Sequence, residues 1–297
     1  MTRSPNPDDM SRRHLFATGG AAAIGTTSAL AGALQEAQAQ QAVPPGAVQV
    51  TAAEFAWGDG IRRIKSAGKI VCAMPGSMVP PQYYHDPNTN KPAGYDPEIA
   101  WMIAKDLGVE AVFEEAVIAA RIVGLQAGRY DVVLGGTANA PARAESIAFT
   151  RGYIPYQQVL LVRADSKITN PTELNDPKYT ITMQIGSTAE YAARQMFPTA
   201  NIKPLEINEA MLDVATGRAD ADLVEQYLAV PFAKKEPNVK ILGGLAAPVI
   251  TATEYGCLAV RPSDMALRQW LDNWVYWYDT HGIIPALYKR IMGPVLR

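Results

Sequence analysis

The chain has 297 residues and a formal net charge of −2, from 27 Lys and Arg against 29 Asp and Glu. With 48% hydrophobic and 19% charged residues it can bury a sizeable core, and its length suits two domains. The near-neutral balance argues against a basic nucleic-acid or membrane-surface footprint, and the two cysteines and three histidines show no zinc-ligand spacing.

The first element in chain order is a targeting segment. Residues 1–39 run from a basic stretch through a weakly apolar Ala/Gly/Thr/Leu run to the small-residue pattern Ala37-Gln38-Ala39, the layout of an export signal. Arg12 and Arg13, between Ser11 and Leu15-Phe16, resemble a twin-arginine motif with the usual Phe-Leu order reversed. The expectation is a signal peptide over 1–39, a low-charge linker over 40–56, and a mature protein in the periplasm. Removing residues 1–39 takes away Arg3, Arg12 and Arg13 against Asp8, Asp9 and Glu36, so the net charge stays at −2. No later apolar run reaches the 18 residues a membrane span needs.

Beyond Trp57, "GIRRIKSAG" predicts a helix stopped by Gly68, followed by the strand "KIVCAM". "YDPEIAWMIAKDLG" predicts a helix with Asp96 as cap, Pro97 at its first position and Gly108 as stop. "VEAVFEE" and "YDVVLGG" read as strands on either side of a short helix, "RIVGLQAG". This β-α-β-α-β alternation implies a parallel sheet covered by helices. A second region repeats the pattern: strands "QVLLVRA", "YTITMQIG", "IKPLEI" and "ADADLVE", with helices "TELND", "STAEYAARQMF" and "NEAMLDVATG" between them. A strand "EYGCLAV" and two helices close the chain. In the first of these helices Leu267, Trp270, Leu271, Trp274 and Trp277 fall at helical spacing and read as core.

Enzyme motifs are missing: there is no G-x-S-x-G, Walker loop, G-x-G-x-x-G after a strand, or H-E-x-x-H. The chemistry lies instead at two helix starts. Pro141 suits a first helical position, which puts Arg143 in a first turn where a cation is unfavourable without an anion beside it. Ser187-Thr188-Ala189-Glu190 matches a capping box directly after a strand, a place where unpaired N–H groups also favour an anion. Glu225 ends a strand of the second region, at the edge where open α/β sheets bind ligands, and suits a cationic group. Tyr83, Tyr84, His85 and Asp86 cluster in a Pro-rich loop and read as solvated.

These segments resemble the periplasmic solute-binding proteins of polar amino-acid ABC transporters, the family 3 type. The resemblance rests on "GKIVCAM", "AGYDPEIAWMIAKDLG", "RIVGLQAGRYDVVLGG", "PARAESIAFT", "IGSTAEYAA", "VATGRADADLVE" and "YGCLAV", in that order, and covers nearly all of residues 57–293. It implies an α/β, two-lobed type II periplasmic binding fold, each lobe a mainly parallel sheet flanked by helices, joined by a two-strand hinge. Lobe 1 would comprise 57–156 and the return 253–297, and lobe 2 would comprise 157–252. The implied function is the solute-binding component of an ABC importer, without cofactor or metal and acting as a monomer. It would capture an amino acid or related small carboxylate by hinge closure and deliver it to a membrane permease.

Carried over by position, Arg143 would fork onto the ligand carboxylate, Thr188 with Ser187 would hold the same group, and Glu225 would face an ammonium where the family usually has Asp. The pattern also departs. Ala138 stands where a hydroxyl residue is common, so the backbone groups of Gly136 and Ala138 would serve, and Met78 and Ile118 replace the usual aromatic rings. The alternative is an enzyme on the same fold, a cyclohexadienyl-dehydratase-like lyase. Its catalytic Glu would fall at Leu228, which counts against it. If the family strand order holds, a strand separates Cys72 from Cys257. Their Cα atoms would then be roughly 9–10 Å apart, beyond the ~7 Å limit for a disulfide.

Overall fold

The computed structural model describes residues 58–296, so the expected signal peptide (1–39) and linker (40–56) lie outside the described residues. The first helix, α1 (Asp59–Ala67), stops as expected at Gly68, whose left-handed φ of 66° lets its N–H reach the Lys65 carbonyl. It leads into β1 (Lys69–Pro75), the short hairpin β2 (Tyr84–His85) and β3 (Pro92–Ala93), α2 (Tyr95–Leu107), and β4 (Glu110–Ala116). Then come α3 (Ile118–Gln126), β5 (Val132–Val133) and the single turn α4 (Pro141–Ala144).

The 16-residue strand β6 (Ala148–Arg163) opens the second part. After it come β7 (Thr180–Gln184), α5 (Thr188–Met196), β8 (Asn201–Leu205), α6 (Ile207–Ala215), β9 (Ala221–Glu225), α7 (Gln226–Lys235) and β10 (Val239–Ile241). The long strand β11 (Ile250–Val260), α8 (Met265–Thr280), α9 (Ile283–Ile291) and a 3-10 turn over Gly293–Leu296 complete the described order.

Among the described residues the main sheet runs β4-β1-β5-β11-β6-β9-β7-β8, with β10 also pairing β6. β4, β1 and β5 are mutually parallel at one end, and β9, β7 and β8 at the other. Two long antiparallel strands join these halves. β6 pairs with β11 from Ala148 to Val159, and with β9 from Gln158 to Val162. The β6–β11 register slips near Ala252, Cys257 and Ala259. Such irregularities bend and twist a strand pair.

Several boundaries differ from the sequence reading, each for a physical reason. "QVLLVRA" is only the second half of β6, because the polar residues before it still satisfy their backbone groups by pairing with β11. Asp96 does not cap α2. Gly94, at φ 117°, takes the N-cap position without a side-chain cap, and Asp96 turns inward with no solvent exposure. The helix α7 was not expected, since Pro231 lies inside it. "TELND" forms only a 3-10 turn over Pro171–Leu174. In α8, Leu267, Leu271 and Trp274 are core residues and Trp270 packs partly against it, whereas Trp277 is 59% exposed and stacks on His281.

Cys72 on β1 and Cys257 on β11 are both free and buried, with β5 between their strands. Burial pushes both thiols up, Cys257 to about 12, so neither is a nucleophile at neutral pH. Mature protein denatured without reductant should therefore titrate as two thiols with a thiol reagent. A count of zero would mean that a bridge forms.

Candidate functional site

The parallel strands of both sheet halves end at one cavity. Its walls take Pro75 from the end of β1, Gly135 and Gly136 after β5, Gln184 from β7, and Glu225 from β9. Helix starts supply the rest: Ile118 and Arg121 of α3, Arg143 of α4, Ser187 and Thr188 at the start of α5, and Ile207 of α6. Tyr156 of β6, Tyr227 of α7 and Glu254 of β11 close it, around a volume of about 40 Å³.

The expected residues are thus brought together for the most part. Arg143, Ser187, Thr188, Glu225, Gly136 and Ile118 all line this cavity. Met78 is not in its wall and is 59% exposed. Ala138 is buried outside the wall, where its carbonyl accepts a 3.2 Å bond from Arg143 Nη1. The Tyr83 and His85 side chains bond Glu115 instead, at 2.6 Å each, away from the cavity.

Arg143 follows Pro141, which holds the first position of α4. Its second amino group, Nη2, donates to the Gly186 carbonyl at 2.8 Å and so reaches the other sheet half. Burial holds this guanidinium below its usual pKa, and the Glu254 carboxylate opposes that fall. Ser187 caps α5 by accepting from Glu190 N–H. The reciprocal arm of the capping box reaches one residue further back, since Glu190 Oε2 accepts from Gly186 N–H at 2.9 Å. Thr188 Oγ1 is free of capping work and donates to Glu254 Oε2. Glu225 is raised above the ordinary carboxylate range, first by desolvation and further by Glu254.

Six wall residues with polar side chains were missed by sequence reasoning: Gln82, Arg121, Tyr156, Gln184, Tyr227 and Glu254; so were Pro75, Val79, Gly135 and Ile207. Arg121 did leave a signal. It lies four residues before Leu125 on the buried face of α3, so a charge interrupts an apolar stripe. Its Nη1 donates to the carbonyls of Leu134 and Gly135 at 3.2 and 2.9 Å, while its buried Nε has no partner. Gly135 and Gly136, both at left-handed φ, are required here because a Cβ would collide with Arg121 and with the Tyr156 hydroxyl.

Within the wall, Gln82 joins the two parts of the chain. Its Nε2 donates to Asp96 Oδ2 at 2.7 Å and to the Tyr156 hydroxyl at 2.8 Å, and its Oε1 accepts from Tyr227 at 2.6 Å. Tyr153 donates to Asp96 Oδ1 at 2.6 Å. Every hydrogen-bonding group of Gln82's amide is thereby used.

The model of the bacterial extracellular solute-binding proteins, family 3, matches residues 70–294. The chain belongs to this family. The glutamine-binding protein of Geobacillus stearothermophilus is 29% identical over 188 residues, which is 61% of this chain and 70% of that protein. The arginine-binding extracellular protein ArtP of Bacillus subtilis is 22% identical over 75% of this chain and 85% of its own length. Among solved structures, an ancestral amino acid-binding protein described as a precursor of cyclohexadienyl dehydratase is 29% identical. It has a TM-score of 0.69 and covers 77% of this chain and 98% of its own. The solute receptor for L-cysteine of Neisseria gonorrhoeae is 26% identical, with a TM-score of 0.70 over 79% and 94%. The fold is the two-lobed type II periplasmic binding fold. No described helix is long and apolar enough to cross a membrane.

The buried network gives this family member a pH signature. Burial raises the Asp96 carboxyl from 3.8 to about 6, against the bonds from Tyr153 and Gln82. The native state therefore holds this proton to a higher pH than the unfolded chain, so the Asp96 contribution to stability falls as pH rises from about 4 to about 6. Asp96→Asn should flatten that decline. Denaturant midpoints across this range check it, and parallel profiles for variant and parent would count against the assignment.

Proposed function

We propose that this protein is the periplasmic solute-binding component of an ABC importer, capturing an α-amino acid between two lobes and presenting it to a permease as a monomer. The observation that carries the reading is the meeting of Arg143, the start of α5 at Thr188, and Glu225 at one cavity. A guanidinium fork and a hydroxyl at a helix start suit a carboxylate, and a desolvated glutamate suits an ammonium. The relatives named for glutamine and arginine binding support the amino-acid class. The lobes are assigned as 57–156 with 253–297, and 157–252, crossing at β6 and β11. A cavity of about 40 Å³ is too tight for an amino acid to enter by diffusion, so entry requires its walls to part.

The lyase reading is less favoured. Leu228, where that group would need a catalytic Glu, packs in the core and is absent from the cavity wall. Export is assigned to the segment 1–39 and to the twin-arginine route through Arg12 and Arg13. Changing both to Lys should strand precursor in the cytoplasm, and an unchanged periplasmic yield on fractionation would refute that route.

Binding is tested by calorimetric titration of the mature protein, using the amino acid that raises its melting temperature most. Charge-assisted bonds to a buried carboxylate are worth about 1.5–3 kcal/mol each, so Arg143→Ala should weaken binding at least about tenfold. Arg143→Lys should also lose affinity, because an ammonium lacks the fork. Glu225→Gln should harm amino-acid binding while leaving an amine-free carboxylate nearly unaffected. Parent-like binding by Arg143→Ala would place the site elsewhere.

A further inference from the structure

We propose that Glu254 is a built-in stand-in for the ligand carboxylate, so that capture exchanges one carboxylate for another at Thr188 and Arg143. This rests on the amino-acid reading above and adds a residue that determines what can bind.

Three observations carry it. Thr188 Oγ1 donates to Glu254 Oε2, and both residues line the cavity. Among the described residues Arg143 makes its side-chain hydrogen bonds to the neutral carbonyls of Ala138 and Gly186, and Glu254 is the carboxylate that supports its charge. Glu254 also lies opposite Tyr156 on β11, a strand shared by both sheet halves, whereas Thr188 begins α5 in the second half. The Thr188–Glu254 bond therefore ties the shared strand to the second half across the cavity.

The chemistry of the hydroxyl makes the exchange obligatory. A threonine hydroxyl carries one hydrogen, and a carboxylate only accepts. Thr188 cannot donate to Glu254 and to a ligand carboxylate at once. An incoming carboxylate takes the Thr188 hydrogen, which Glu254 gives up, and draws the Arg143 fork away from the Ala138 and Gly186 carbonyls. The released Glu254 stays in the cavity with Glu225, whose own charge it already disfavours. Glu225 then takes the ligand's cation, and Glu254 remains a competing negative charge. Amino acids satisfy this arrangement better than amine-free carboxylates do.

The test uses the mature protein, Glu254→Gln and Glu254→Ala, and the standard L-amino acids as probes. Removing the competing charge should tighten binding of the parent's best amino acid by about tenfold in both variants. Affinity equal to or weaker than the parent overturns the proposal, since a glutamate that holds the ligand's cation gives a loss. In a Thr188→Val background the gain from Glu254→Gln should shrink toward zero, and a full gain there overturns the route through this hydroxyl. A thermal unfolding scan of each variant checks that it is folded. Small-angle scattering without ligand supplies a separate arm. Glu254→Ala, which leaves Thr188 no acceptor there, should show a larger radius of gyration than the parent, and equal radii overturn the bridging role. If the parent binds no amino acid, the function assigned above fails, and the scattering arm still decides whether Glu254 holds the halves together.

Discussion

Two arginines and two glutamates face one cavity of about 40 Å³, where burial desolvates Arg121, Arg143 and Glu225. An ionised group left alone in such a place costs several kcal/mol, so each must find an opposite charge or a fan of dipoles. Arg121 takes carbonyl dipoles and the field of Asp96; Arg143 takes carbonyl dipoles and the field of Glu254. Glu225 takes its own backbone N–H and a 3.5 Å bond from Gln158, which do not outweigh its desolvation. The strand order, the paired glycines and the helix starts all serve to put these groups within reach of one another.

The sheet halves and most helices were legible in the sequence because apolar periodicity and Gly or Pro stops report local backbone preference directly. Arg143 and Thr188 were legible for a related reason: each sits at a helix start whose unpaired N–H groups make the residue type informative. Met78 was misplaced because residue type alone cannot tell which way a loop side chain faces. Glu254 left no trace, since it occupies a polar stretch of β11 and acquires meaning only when α5 arrives from the other half of the sheet. Gln82 was hidden likewise. Its three partners lie 14, 74 and 145 residues away along the chain.

Glu225 and Ala138 set how polar groups are distributed around the cavity. Ala138 brings no hydroxyl, and its carbonyl is already taken by Arg143. The polar load moves to Gln82, Tyr156 and Tyr227, which are buried and mutually bonded. Such a network resists deformation, because displacing one member strands the hydrogen-bonding groups of the others.

The long strand from Ala148 to Arg163 also constrains how the molecule comes into being. The first half of the sheet lacks an inner neighbour for β5 until residues 250–260 have been made, because β11 lies between β5 and β6. The second half, from β6 through β9, is complete in its own pairings more than twenty residues earlier. During synthesis the middle of the chain can therefore assemble first, while the N-terminal β-α-β units wait with an open sheet edge for a strand encoded near the end. Loop-closure entropy makes that last pairing slow relative to the local ones. The waiting edge is the surface a chaperone would need to cover.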